Sequence, residues 1–325
     1  MQIRAAHVII YVMELHEANR ILRSVKAALA ADGYKLPSSA ETDGLLMLLG
    51  RLDADKFLAP KIQHARERIP VGSAAYERSY KYFSFFRALQ AAQIGIANPV
   101  TSVSMMFLHK TLCGDLDEEA GKPRTSEALT CGSAHTDPKY ISGSLKSILT
   151  KMNEMGSSPE TSKEDFAGYL SHYMRELIIL HPFARGSEFT LRIFIMLFCK
   201  LKGFSISYYR APVANIIAAE NGAFADDDVA TLYKLLCECL SYDHKTEPRE
   251  QNFAPRTRRE VARDVVRSNK SDRSAAPKKQ PKQNNQSGIS NDEILKRAIR
   301  LQQKISRLNE QLTELIQPLE DKDSK

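Results

Sequence analysis

The stretch "ELIILHPFARGSEFTLRIFIMLFCKLKG", residues 176–203, decides how the rest of the chain is read. A helical run ends at His181-Pro182, and Pro182 cannot continue a helix smoothly. A short loop follows, and a second, apolar helical run carries Arg192 one turn in. Such a loop places an unpaired helix N-terminus, with its free N–H groups and positive dipole end, where an anion such as phosphate is attracted. Gly186 allows close backbone approach, Arg192 can reach the same anion, and His181 can take a proton near neutral pH.

Outward from this loop, helical patterns dominate. Residues 3–95 read as helices with stops at Gly33 and Gly95, and "VTSVSMMFLHKTLCGDL" continues them up to Gly121-Lys122-Pro123. "RTSEALTCGSAHTDPKYI" lacks the 3.6 period and reads as loop or hairpin. Helices resume at "SGSLKSILTKMNEM", "SKEDFAGYLSHYMRELIIL" and "SEFTLRIFIMLFCKLKG", with two more near 212–221 and 226–241.

The chain has 325 residues, 43% hydrophobic and 26% charged, as an ordinary globular protein does. No run of ~18 apolar residues supports a membrane span. The opening residues read as an amphipathic helix. The five scattered cysteines (Cys113, Cys131, Cys199, Cys237, Cys239) fit a reducing, cytoplasmic compartment rather than a disulfide framework. Cys237 and Cys239 diverge around a helix axis, so they read as helical thiols and not as a metal pair.

The net charge of +7 sits in one segment: Lys245–Lys282 holds 12 Lys and Arg against 5 Asp and Glu. Its composition predicts a disordered linker with a secondary capacity for nucleic acid or anionic surfaces. Beyond it, Ile294, Ala298, Leu301, Ile305, Leu308, Leu312 and Leu315 form a heptad seam ended by Pro318. That seam predicts self-association or a partner helix, set against a helix folding back on its own domain.

The central loop, HPFARGSEFTLR, resembles the Fic (Fido) signature His-Pro-Phe-x-(Asp/Glu)-Gly-Asn-(Gly/Lys)-Arg-x-x-Arg. The turn Ala120, Gly121, Lys122, Arg124 and the ending "KLKGFSISY" are similar to the same family, and the resemblance covers about residues 74–242. It implies an all-α Fic-like helical domain with a small β-hairpin flap over 74–242. An N-terminal helical region (1–73) precedes it; a basic linker (243–290) and a coiled-coil helix (291–319) follow. It implies transfer of AMP, or another phosphate-containing group, from ATP or another nucleotide to a hydroxyl of a target protein docked at the flap. Thr130, Gly132 and His135 lie in that flap.

Position by position, His181 matches the base, Phe183 the buried anchor, Gly186 the loop glycine and Arg192 the second arginine. Arg185 replaces the acidic metal ligand, Ser187 the asparagine, Glu188 the next small residue and Phe189 the first arginine. Arg185, Gly186, Ser187 and Arg192 are the anion-site candidates, and Glu188 is the carboxylate left to consider for a metal. Loss of the acidic ligand removes the hold on Mg²⁺, so ordinary Mg-ATP transfer is expected to be impaired. The alternative is a non-catalytic binding module acting through flap and tail. "SAAYER" (Ser73–Arg78) and "SRLNEQ" (Ser306–Gln311) partly match the family's inhibitory Ser/Thr-x-x-x-Glu helix. With Phe189 in place of the arginine such a glutamate binds, neither is expected to act.

Overall fold

Residues 193–199 are apolar without interruption, and a helix segment that is hydrophobic all round must lie inside the molecule. A computed structural model describes residues 13–243 apart from Cys131 and Pro159, and there this segment is part of a central helix. The first residues of the chain, the linker beyond Asp243 and the heptad seam lie outside the described residues. In chain order the helices are α1 (Leu15–Ala30), α2 (Ser38–Leu48), α3 (Ala54–Arg68), α4 (Ala74–Ile94), α5 (Ser102–Cys113), α6 (Ile141–Asn153), α7 (Lys163–Leu180), α8 (Ser187–Leu201), α9 (Val213–Ala225) and α10 (Val229–Cys239). Two short strands, β1 (Leu129–Thr130) and β2 (Ser133–Ala134), precede α6, while β3 (Phe204–Ile206) follows α8 and β4 (Leu240–Tyr242) follows α10. The expected all-α fold with a hairpin flap is borne out. No helix among the described residues is long and apolar enough to cross a membrane.

Helix α8 buries every residue from Phe189 to Cys199 and packs against α1, α5, α7 and β3. Around it the outer helices are one-sided. In α1, Ala18, Ile21, Leu22, Val25, Ala28 and Leu29 are buried at three- and four-residue spacing. The starts are set by side-chain caps: Ser73 accepts from the Tyr76 N–H, Ser162 from Asp165, and Thr101 and Ser104 form a reciprocal capping box. A ring contact ties α4 to α3, with Phe86 5.2 Å from Phe57, centroid to centroid.

The flap is antiparallel, Leu129 opposite Ala134 and Thr130 opposite Ser133, and Gly132 turns it with φ +81°. A second strand pair, in which Phe204 faces Tyr242 and Ile206 faces Leu240, was not expected from the sequence. Three-residue strands are too short to show an alternation. Their pairing ties the end of α8 to the end of α10.

Candidate active site

Helix α7 ends on His181, whose φ of +42° lies in the left-handed region. That conformation costs a branched-chain or ring residue roughly 1 kcal/mol, so the surroundings must hold it. They do so through Arg124. Its Nε donates to the His181 carbonyl at 2.8 Å and its Nη2 to the Leu180 carbonyl at 3.3 Å. The same guanidinium donates to the carbonyls of Ser126 (2.7 Å) and Thr136 on the flap. A buried cation thus caps the negative end of α7 and staples the flap to it. Thr136 adds its own N–H to the Ile179 carbonyl at 3.1 Å.

The flap reaches His181 itself. The ring of His135 lies 4.3 Å from the His181 ring and 4.2 Å from Phe224 on α9, while its Nε2 and the Thr130 hydroxyl are 2.8 Å apart. Burial, then the proximity of His135 and Arg124, lowers the pKa of His181 from 6.5 to about 4. The imidazole is therefore neutral at physiological pH and keeps a lone pair for a proton. Glu188 stands 3.7 Å from its Nδ1. Half exposed to water, Glu188 is too well screened to reverse the effect of burial.

The loop beyond His181 is supported from beneath. His109 of α5 stacks flat on Phe183, with centroids 3.8 Å apart. Its Nδ1 accepts the Gly121 N–H at 2.8 Å, so Nε2 carries the proton and donates to the Arg185 carbonyl at 2.9 Å. Gly186 takes φ +65°, and a Cβ there would lie 2.6 Å from the Tyr80 hydroxyl and 3.0 Å from the Cys113 sulfur. The glycine is needed for this packing under the loop. Ser187 is buried, and its hydroxyl accepts the Phe183 N–H at 3.4 Å, which closes the loop on itself.

A cavity of about 440 Å³ opens over α8's N-terminus. Of the residues singled out from sequence, Thr130, His135, His181, Arg185, Gly186, Ser187, Glu188 and Arg192 line it, and Gly132 does not. Phe189, in place of an arginine, is 2% exposed and belongs to the core as well as to the cavity wall. Arg185 lies over the Tyr80 ring at 3.7 Å and pairs with Glu77 at 2.6 Å. Glu77 belongs to the Ser73–Arg78 segment that the sequence reading set aside for want of an arginine at 189; the geometry gives it Arg185 instead. Arg192 is buried between Glu220 of α9 and Asp32 at the end of α1, both at 2.5 Å.

Asp32, Lys81, Glu220 and Phe224 were not foreseen as site residues. Each comes from an element distant in the chain, and only the Ser-x-x-x-Glu pattern could have pointed to Glu77. The divalent ion that the family resemblance implies does not fit here. Its ligand position carries the Arg185 guanidinium, and among the described residues no three His, Cys, Asp or Glu side chains are grouped to hold a metal.

Residues 99–199 match the model of the Fic/DOC family. The chain is 28% identical over 137 residues to protein adenylyltransferase VbhT of Bartonella schoenbuchensis, an alignment spanning 42% of this chain and 29% of that protein. It is 26% identical over 200 residues to a probable protein adenylyltransferase Fic of Salmonella typhimurium, spanning 59% of this chain and 96% of that one. Among solved structures, the BepC protein of Bartonella tribocorum with bound AMPPNP is similar at 15% identity and a TM-score of 0.46, over 51% of this chain and 86% of that one.

Proposed function

The chain is a Fic-family protein whose family segment covers residues 99–199, and from that premise we propose that it transfers a phosphate-containing group from a nucleotide to a hydroxyl of a target protein. The observation that carries this reading is the neutral His181 at the mouth of a cavity over a helix N-terminus. The target segment docks at the flap, along the β1–β2 edge, through backbone hydrogen bonds. His181 takes the hydroxyl proton as the oxygen bonds to phosphorus and the bond from phosphorus to the leaving oxygen breaks. The N–H groups at the start of α8 and the Arg185 guanidinium, once it turns from Glu77, face the phosphate. No step passes through a divalent ion. The names of the VbhT and Salmonella relatives support the reaction class.

A second reading, a non-catalytic binding module, draws support from Arg185 and Arg192, both of which already hold carboxylates. One experiment separates the two. Purified protein is incubated with nucleotides of each base at the mono-, di- and triphosphate level, with and without Mg²⁺. Intact mass reports self-modification, and label transfer into a cell lysate reports a target. A mass gain that disappears in His181→Ala while binding persists supports the transferase. Binding with no transfer under any condition supports the module.

A further inference from the structure

Arg185 stands where the family resemblance places an acidic metal ligand, and the structure fixes it there. Its carbonyl accepts from His109 Nε2 at 2.9 Å, and Gly186, the next residue, turns the chain at φ +65°. The side chain leaves this anchored loop toward α4. There its guanidinium lies 3.7 Å over the Tyr80 ring and 5.6 Å from the Tyr76 ring, and Nη2 donates to Glu77 at 2.6 Å. Two phenol faces and one carboxylate, all from α4, make a seat for a permanent cation. An arginine has five N–H groups and does not lose its proton in proteins. Among the described residues only the Nη2 group meets a protein acceptor, so the guanidinium keeps donors for a ligand. Its side chain is 29% exposed and lines the cavity at the start of α8.

The cavity offers a divalent ion little in exchange. Of its four carboxylates, Asp32 and Glu220 are bound to Arg192 and Glu77 to Arg185, which leaves Glu188, half exposed. Mg²⁺ is usually held by one or two carboxylates together with substrate phosphates. An ion there would bring a double positive charge into the same cavity as the arginine, where screening is poor. It would also cancel the charge on the phosphate oxygens to which a guanidinium hydrogen-bonds. Ion and arginine are thus alternatives for the same phosphates.

We propose that Arg185 takes the place of the divalent ion: the cavity binds a nucleotide in its metal-free form, and Mg²⁺ competes with the protein for the phosphates. The proposal rests on the nucleotide reading above and specifies the form of its substrate. An arginine fixed in the chain needs no supply of metal and holds its charge at any physiological pH.

Calorimetric titration of ADP into the full chain, in EDTA and in excess Mg²⁺ at equal ionic strength, tests it. The wild type is expected to bind about tenfold more tightly in EDTA, the effect of one hydrogen bond between charged groups. Arg185→Ala loses that advantage, and Arg185→Lys, which keeps the charge, retains part of it. Arg185→Glu restores a carboxylate and inverts the preference, so that ADP binds more tightly with Mg²⁺ than without. The pair with Glu77 is open to water, so these variants are expected to fold. Tighter binding by the wild type with Mg²⁺ overturns the proposal, and its loss in Glu188→Gln then assigns the ion to that carboxylate. An identical response to Mg²⁺ in the wild type and all three Arg185 variants overturns it too. Either result leaves the nucleotide reading standing. No ADP binding by the wild type or any variant, with or without Mg²⁺, overturns both.

Discussion

The imidazole of His135 lies on that of His181, 4.3 Å from centroid to centroid, so the flap and the candidate base share one ring contact. Phe224 covers the far side of His135 at 4.2 Å. Any displacement of the flap therefore also disturbs the environment of His181.

That burial makes stability depend on pH. The folded chain holds His181 near a pKa of about 4, below its ordinary 6.5, so the unfolded chain binds more protons across that window. Stability is full above 6.5 and falls as the pH drops through the window, by about 3 kcal/mol for this residue. His135 and His109, also lowered by burial, add to the loss in the same direction. Thermal unfolding across this range will show the decline, and His181→Asn, which tolerates the left-handed backbone, will flatten part of it. An unfolding midpoint that stays level down to pH 4 contradicts the assignment.

Arg124 is expected to be irreplaceable by lysine. Its side chain bonds four carbonyls of two separate segments, and an ammonium cannot reach all of them. Arg124→Ala should destabilise by about 3 kcal/mol or more, because buried carbonyls lose charged donors, and Arg124→Lys should recover only part. Hydrogen exchange will show the effect at Ser126–Thr136 and at the end of α7 before it reaches the outer helices.

Gly186→Ala combines a φ of +65° with a Cβ placed 2.6 Å from the Tyr80 hydroxyl. Backbone preference and displacement of a buried phenol together should cost about 2–3 kcal/mol. Gly186→Ala/Tyr80→Phe should recover the packing part and leave the backbone part, a separation that denaturant unfolding resolves.

The two site arginines should behave differently. Arg192→Ala strands two shielded carboxylates and is expected to cost about 3–5 kcal/mol. Arg185→Ala breaks a pair whose carboxylate is 48% exposed and should change stability by less than about 1 kcal/mol. Equal losses in the two variants would contradict the difference in burial.

Much of this protein was legible in its sequence because the signals are local. The unbroken apolar run of α8, the helix stops at glycine, the glycine at 186 and the His-Pro-Phe break each act on neighbours within a turn or two, where period and backbone preference can be read directly. The charge state of the site was not legible. Arg192 meets Asp32 across 160 residues, and Arg185 meets Glu77 across 108. Nothing in a charged residue's local pattern says which distant carboxylate the packing of helices will bring to it. Motif reasoning sought a partner for Glu77 at position 189, and the tertiary structure supplied one at 185. The sequence by itself determined the helices, the loop and the candidate base; only the folded packing of α1, α4 and α9 around α8 decided which cations remain for a ligand, because pairing of charges is fixed by distance in space and burial from water.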